Sequence, residues 1–145
     1  MKHKIVFILS LLASSFTLNA QSTNHSIFDE GSLVKNENFQ GNVKLNMLLQ
    51  ADSVYNNSIG VVRFEPNAKT NWHYHPGGQI LLIIDGEGWY QERGKEIKAI
   101  KKGEIITCPS NVEHWHGATD SQHMSHIAIG TNTDKGNVVW LEKVE

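Results

Sequence analysis

The chain has 145 residues, a formal net charge of −2 and one cysteine, Cys108. A single cysteine excludes an intramolecular disulfide, and the near-neutral balance gives no footing for nucleic acid or an anionic membrane surface. The length suits one domain, stabilised by core packing and by association between copies.

Residues 1–20 read as a secretory signal peptide. Lys2 and Lys4 form a basic start, Ile5 to Leu12 is almost continuously apolar yet too short to span a bilayer, and Leu18-Asn19-Ala20 precedes the expected cut. Cleavage there would leave about 125 residues, enough for one core, in the periplasm or outside the cell. No second long apolar segment follows, so no membrane span is expected after cleavage. Residues 21–37 are polar, with anchors only at Ile27, Phe28 and Leu33, and read as an N-terminal arm, mobile unless it docks on the domain or on a partner subunit.

Residues 38–145 alternate short β-like segments with turn signals. The expected strands are Val43–Leu49, Ile59–Glu65, Trp72–His75, Gln79–Asp85, Gly88–Arg93, Ile97–Lys101, Ile105–Cys108, Glu113–His116, Met124–Gly130 and Val138–Lys143. Gly86, Gly94, Gly103, Gly117 and Gly136, with Pro66-Asn67 and Pro109-Ser110-Asn111, punctuate them. Many short strands at regular spacing predict an all-β sandwich or barrel. Both faces of Gln79–Ile84 are apolar beyond Gln79, which predicts a wall covered on both sides. Lys98, Lys101 and Lys102 read as a solvated strand edge.

The chemistry gathers at His73, His75, Gln79 and His114. In a strand, residues i and i+2 share a face, so His73 and His75 project side by side. Pro76-Gly77-Gly78 then turns the chain back to Gln79, so seven residues supply three donors for a divalent metal. Alternation places Met124, His126 and Ala128 on one face, and His116 lies two residues beyond His114. Trp72, Trp89 and Trp115 either wall the cavity or fill the core. His123 reads as a solvated loop residue, and Cys108 as a buried structural thiol.

These residues resemble the cupin superfamily, small jelly-roll barrels (the double-stranded β-helix) with two sequence motifs. The first reads here Asn67, His73, His75, Gln79 and Gly86; the second reads Gly103, Pro109, Asn111, His114 and Ala118. Asn67 and Asn111 replace turn glycines, and asparagine is the residue that best tolerates a left-handed backbone there. The stretches Thr70-Asn71-Trp72-His73-Tyr74-His75-Pro76-Gly77-Gly78-Gln79, Gly88-Trp89-Tyr90-Gln91 and His114-Trp115-His116-Gly117-Ala118 are similar to a bacterial subgroup that includes the manganese-dependent hydroxynitrile lyases and proteins associated with carboxymuconolactone decarboxylases.

The resemblance implies a single cupin barrel over residues 38–145, forming a homodimer. It implies one divalent metal per chain on His73, His75, Gln79 and His114, manganese being favoured and iron, zinc or nickel also compatible. Gln79 stands where the usual carboxylate ligand would be. His126 takes the position of a non-ligand catalytic histidine; its other reading is a core histidine. His116 either contacts substrate or orients a ligand, while Gly60, Val62 and Gly130 fall where the subgroup shapes its substrate pocket. The implied function is a metal-dependent lyase for a small hydroxylated or carbonyl compound. A metal-dependent oxygenase and a non-catalytic small-molecule-binding module are the alternatives.

Overall fold

A computed structural model describes residues 26–145. The expected signal peptide at 1–20 and the start of the arm lie outside the described residues. Twelve strands follow in order: β1 (Ser32–Leu33), β2 (Phe39–Gln40), β3 (Val43–Leu49), β4 (Asn57–Phe64), β5 (Lys69–Thr70), β6 (His73–Tyr74), β7 (Gln79–Glu92), β8 (Lys98–Lys101), β9 (Ile105–Cys108), β10 (His114–Ala118), β11 (Met124–Thr131) and β12 (Val139–Trp140). A 3-10 turn at Thr133–Lys135 is the only helical element among the described residues.

Two antiparallel sheets form the jelly roll. One runs β1-β3-β4-β11-β7 with β9 beyond β7; the other runs β7-β10-β5-β2, with β8 on β7, β6 on β10 and β12 on β6. Both sheets share β7. Its first half pairs with β9 and β11, and its second half with β8 and β10. The sequence reading split this strand at Gly86 into Gln79–Asp85 and Gly88–Arg93. Gly86 instead bends a continuous strand at φ 68, where a Cβ would lie 1.9 Å from the His123 carbonyl oxygen. A glycine can mark a sheet corner as well as a turn. The same correction applies to Gly117, expected to end a strand but buried within β10, because a Cβ there would lie 2.4 Å from that of Lys69.

Alternation builds the core. Val43, Val62, Phe64, Leu81, Ile83, Tyr90, Ile106, Cys108, Ala118 and Met124 turn inward and pack as one cluster. On the opposite face of β7, Ile80, Leu82 and Ile84 are only half-buried. The expected second cover is therefore incomplete within one chain. The arm supplies part of it: β1 pairs with β3, and Ile27 and Phe28 line an outer groove with Val61, Ile84 and Ile127. Asn67 and Asn111 adopt φ 66 and φ 61, the left-handed conformation read from the sequence. Lys98, Lys101 and Lys102 are exposed as expected.

Close approach fixes one residue type where the two sheets meet. A Cβ at Gly88 would sit 2.1 Å from the Gly117 carbonyl oxygen and 2.5 Å from Met124 Sδ. Gly88→Ala is therefore expected to cost about 1–3 kcal/mol through overpacking, read as a thermal midpoint roughly 5–15 °C lower. An unchanged midpoint would contradict this packing.

Candidate metal centre

Strand pairing brings the donors together. His73 in β6 lies directly opposite His114 in β10, and their rings are 4.3 Å apart. The His75 ring is 5.3 Å from that of His73 and 5.8 Å from that of His114. Gly78 N–H donates to the His75 carbonyl at 3.1 Å, closing the turn that returns the chain to Gln79. Gly77 permits that turn to press on the end of β11, since a Cβ would lie 1.9 Å from the Thr131 carbonyl oxygen. Thr131 Oγ1 and Asn132 Nδ2 then both donate to the Gly77 carbonyl, at 2.8 and 3.0 Å. The ligand-bearing turn is clamped on two sides.

The hydrogen bonds set the tautomers. His73 Nδ1 lies 3.0 Å from the Asn71 carbonyl oxygen and His114 Nδ1 lies 2.9 Å from that of Val112. A carbonyl only accepts, so each Nδ1 carries the proton and each Nε2 presents a lone pair to the interior. His114 Nε2 then faces Gln79 Oε1, another acceptor, at 3.2 Å. Two acceptors confronting one another with no proton between them is unfavourable, and a cation held by both removes the conflict. His75 Nε2 is also buried without a partner. The donor set fits a divalent metal.

The tightest trio differs from the set read in sequence. Ligand-capable nitrogens of His73, His114 and His116 lie within 4.8 Å of one another. His75 and Gln79 flank this trio, His75 on the side of a cavity of about 220 Å³ that it lines with Ser58, Gly77, Gly130 and Val138. His126 lies at the other end, fully buried, with its ring 4.9 Å from that of His116 and 5.6 Å from that of Phe64. Neither ring nitrogen of His116 or His126 has a hydrogen-bond partner in the protein. The five histidines thus form a continuous array from the cavity at His75 to the interior at His126.

Burial keeps this array neutral. It holds His73 and His116 well below the ordinary imidazole range, with neighbouring histidines adding to the effect. It lowers His75 to about 4 and His126 to about 3. His114 is also lowered by burial, against the opposing pull of its hydrogen bond to Val112 and of Glu92. At neutral pH every imidazole of the array therefore offers a lone pair rather than a charge.

The proposed pocket positions line one face of β4 and β11. Gly130 pairs with Ser58, Ala128 with Gly60, and His126 with Val62. Gly130 accordingly borders the His75 cavity, while Val62 lies beside His126. A side chain at Gly60 would meet Leu45 Cδ1 at 3.1 Å and Met47 Sδ at 3.2 Å.

Of the three tryptophans, Trp115 is buried, as its core reading expected, and the other two are partly exposed. Trp72 lies under the Arg93 guanidinium, 4.2 Å from its ring centroid; Trp115 Nε1 donates to Gln91 Oε1 at 2.7 Å; Trp89 is half-exposed. Trp140 of β12 covers the His73 side of the site, its ring 4.8 Å from that of His73. The sequence signal for it was a tryptophan in the expected last strand, which only the β12–β6 pairing brings to the site. His123 is a loop residue but holds Asp85 Oδ2 at 2.9 Å. Cys108 is buried and its thiol is pushed up to about 12 by desolvation, as a structural cysteine requires.

The chain is similar to several known proteins. Residues 60–130 match the family Cupin_2, described as the cupin domain. The chain is 38% identical over 106 residues to the (R)-mandelonitrile lyase of Granulicella tundricola, covering 73% of this chain and 81% of that protein. It is 30% identical over 67 residues to the acireductone dioxygenase of Dictyostelium discoideum, covering 43% of this chain and 46% of that one. A cupin-like protein of Thermotoga maritima, known from its crystal structure, superposes with a TM-score of 0.81 at 44% identity, over 83% of this chain and 92% of the other. Motifs, jelly-roll topology and relatives converge, and the chain belongs to the cupin family.

Proposed function

We propose that the protein is a metal-dependent lyase that cleaves small cyanohydrins. The carrying observation is His126, a neutral, unpartnered imidazole on the inner face of the barrel, one ring away from the donor trio. The likeness to a protein named (R)-mandelonitrile lyase supports the choice of reaction. His73, His75, Gln79 and His114 would hold the metal, with His116 between that set and His126. When bound, a divalent ion there supplies Lewis-acid stabilisation of negative charge on a substrate oxygen.

The remaining work falls to the chain. His126 takes the hydroxyl proton as the carbonyl forms, the carbon–carbon bond breaks, and its electron pair leaves with cyanide. The imidazolium so formed returns the proton to cyanide. The apolar wall of Phe64 and Val62 excludes water from that transfer. Gly130 leaves the approach beside His75 open, in keeping with a small substrate.

We further infer manganese as the metal in the cell, a homodimer, and a periplasmic or secreted location, the last resting on the leader-like residues 1–20.

The test is to measure the metal content of the purified protein, strip it with a chelator, reload it with Mn(II), Fe(II), Zn(II) or Ni(II), and assay release of aldehyde and cyanide from mandelonitrile. Cleavage is expected to vanish on stripping and to return best with Mn(II). Oxygen consumption by the iron form without cyanide release would replace the lyase by an oxygenase. Tight ligand retention without turnover under every metal would reduce the protein to a binding module.

A further inference from the structure

The donor set carries no carboxylate, since an amide at Gln79 stands among the imidazoles of His73, His75, His114 and His116. A divalent ion there has no anionic ligand from these residues. One carboxylate nevertheless stands directly beside a ligand. Glu92 at the end of β7 is the register partner of His114 in β10, so both side chains leave the sheet on its inner side. Tyr90, two residues earlier, points the same way and is 6% exposed. Its ring centroid lies 5.7 Å from that of His114, and its hydroxyl donates to Glu92 Oε1 at 3.3 Å. Lys95 ion-pairs with the other oxygen, Oε2, while the Glu92 side chain stays 15% exposed.

We propose that Glu92 is the counter-charge of the metal centre, held behind His114 by the Tyr90 hydroxyl and weakened by Lys95. The proposal rests on reading the donor set as a divalent-metal site. A carboxylate need not coordinate to stabilise a nearby cation, because charges in a poorly solvated interior act over several ångströms. Groups just behind the ligands commonly tune metal affinity in this way. Burial raises the Tyr90 phenol far above its ordinary range, so its proton stays in place to hold the carboxylate. The Coulombic coupling of Glu92 to His114 has the same sense, each favouring the charged form of the other.

A purely structural reading is also available: Glu92 and Lys95 could only stabilise the turn after β7, where Lys95 N–H donates to the Glu92 carbonyl at 3.0 Å. Two variants separate the readings. Glu92→Gln keeps the side-chain size and that backbone bond but loses the charge; Lys95→Met removes the competing cation. Mn(II) is titrated into each metal-free protein and the free ion counted by its electron paramagnetic resonance signal, alongside a thermal melt of the metal-free form.

Glu92→Gln is expected to weaken Mn(II) binding about tenfold or more, and Lys95→Met to tighten it. An ion pair serving only the turn would shift both melts alike and leave both dissociation constants unchanged, which would overturn the proposal. Shifts of the two constants in the same direction would also overturn it. Failure of the unmodified protein to bind Mn(II) or Zn(II) removes the metal reading, and this proposal with it.

Discussion

Replacing His126 by alanine is expected to lower cyanohydrin cleavage by about 10²–10⁴-fold, the range of general acid–base catalysis, while metal content stays at the level of the parent protein. The separation follows from position. His126 belongs to β11, whereas His73, His75, Gln79 and His114 come from β6, the following turn, the head of β7 and the head of β10. Removing its ring leaves the hydrogen bonds to Asn71 and Val112 that orient the ligands. The loss should therefore appear in kcat more than in KM, and added imidazole should restore part of the rate. Metal retention with undiminished cleavage would remove His126 from the mechanism. Loss of metal together with activity would make it a structural support instead.

The acid stability of the metal-free protein is expected to fall steeply below about pH 6.5, where unfolded histidines begin to take up protons. Burial depresses His73, His75, His114, His116 and His126 in the folded state. Between the folded and unfolded pKa values the unfolded chain binds more protons than the native one, so stability rises with pH and is lost on acidification. The window runs from 6.5 down to about 4 for His75 and to about 3 for His126. Each such histidine removes about 1.4 kcal/mol per pH unit, so two of them together approach the whole stability of an ordinary domain within about two units. Urea midpoints measured from about pH 4.5 to 7.5 give the slope directly. Loading the metal should move the fall to lower pH, because metal and proton compete for the same lone pairs. His126→Phe should make the metal-free profile shallower. A flat midpoint across this range would show that water reaches the array and solvates the charged rings.

Local chemistry explains what the sequence made legible. Period-two alternation placed Met124, His126 and Ala128 on one face of β11, and the left-handed Asn67 and Asn111 followed from the motif resemblance, in which they stand for turn glycines. The closeness of His73, His75 and Gln79 was readable because the three lie within seven residues of one turn. Long-range register was not readable. The i+2 spacing from His114 pointed His116 toward the site, but its closeness to His73 and the place of Trp140 over His73 depend on which strands meet. Glu92 was invisible for the same reason: among ordinary surface-type residues, only its pairing with His114 marks it. Gly86 and Gly117 misled in the opposite direction, since a glycine chosen for close approach looks the same in sequence as one chosen for a turn.

β12 gives the site an order of assembly. His73 is enclosed by Trp140, and the backbone around it is held by Leu141 N–H donating to the Trp72 carbonyl and Trp72 N–H donating to that of Glu142. The strand that closes the centre follows, in chain order, every strand that carries one of its histidines. A nascent chain can form β6, β7 and β10 and still present His73 without its cover. His73 is therefore enclosed only once β12 has paired with β6, so the cover of the centre depends on a two-residue pairing rather than on the barrel wall.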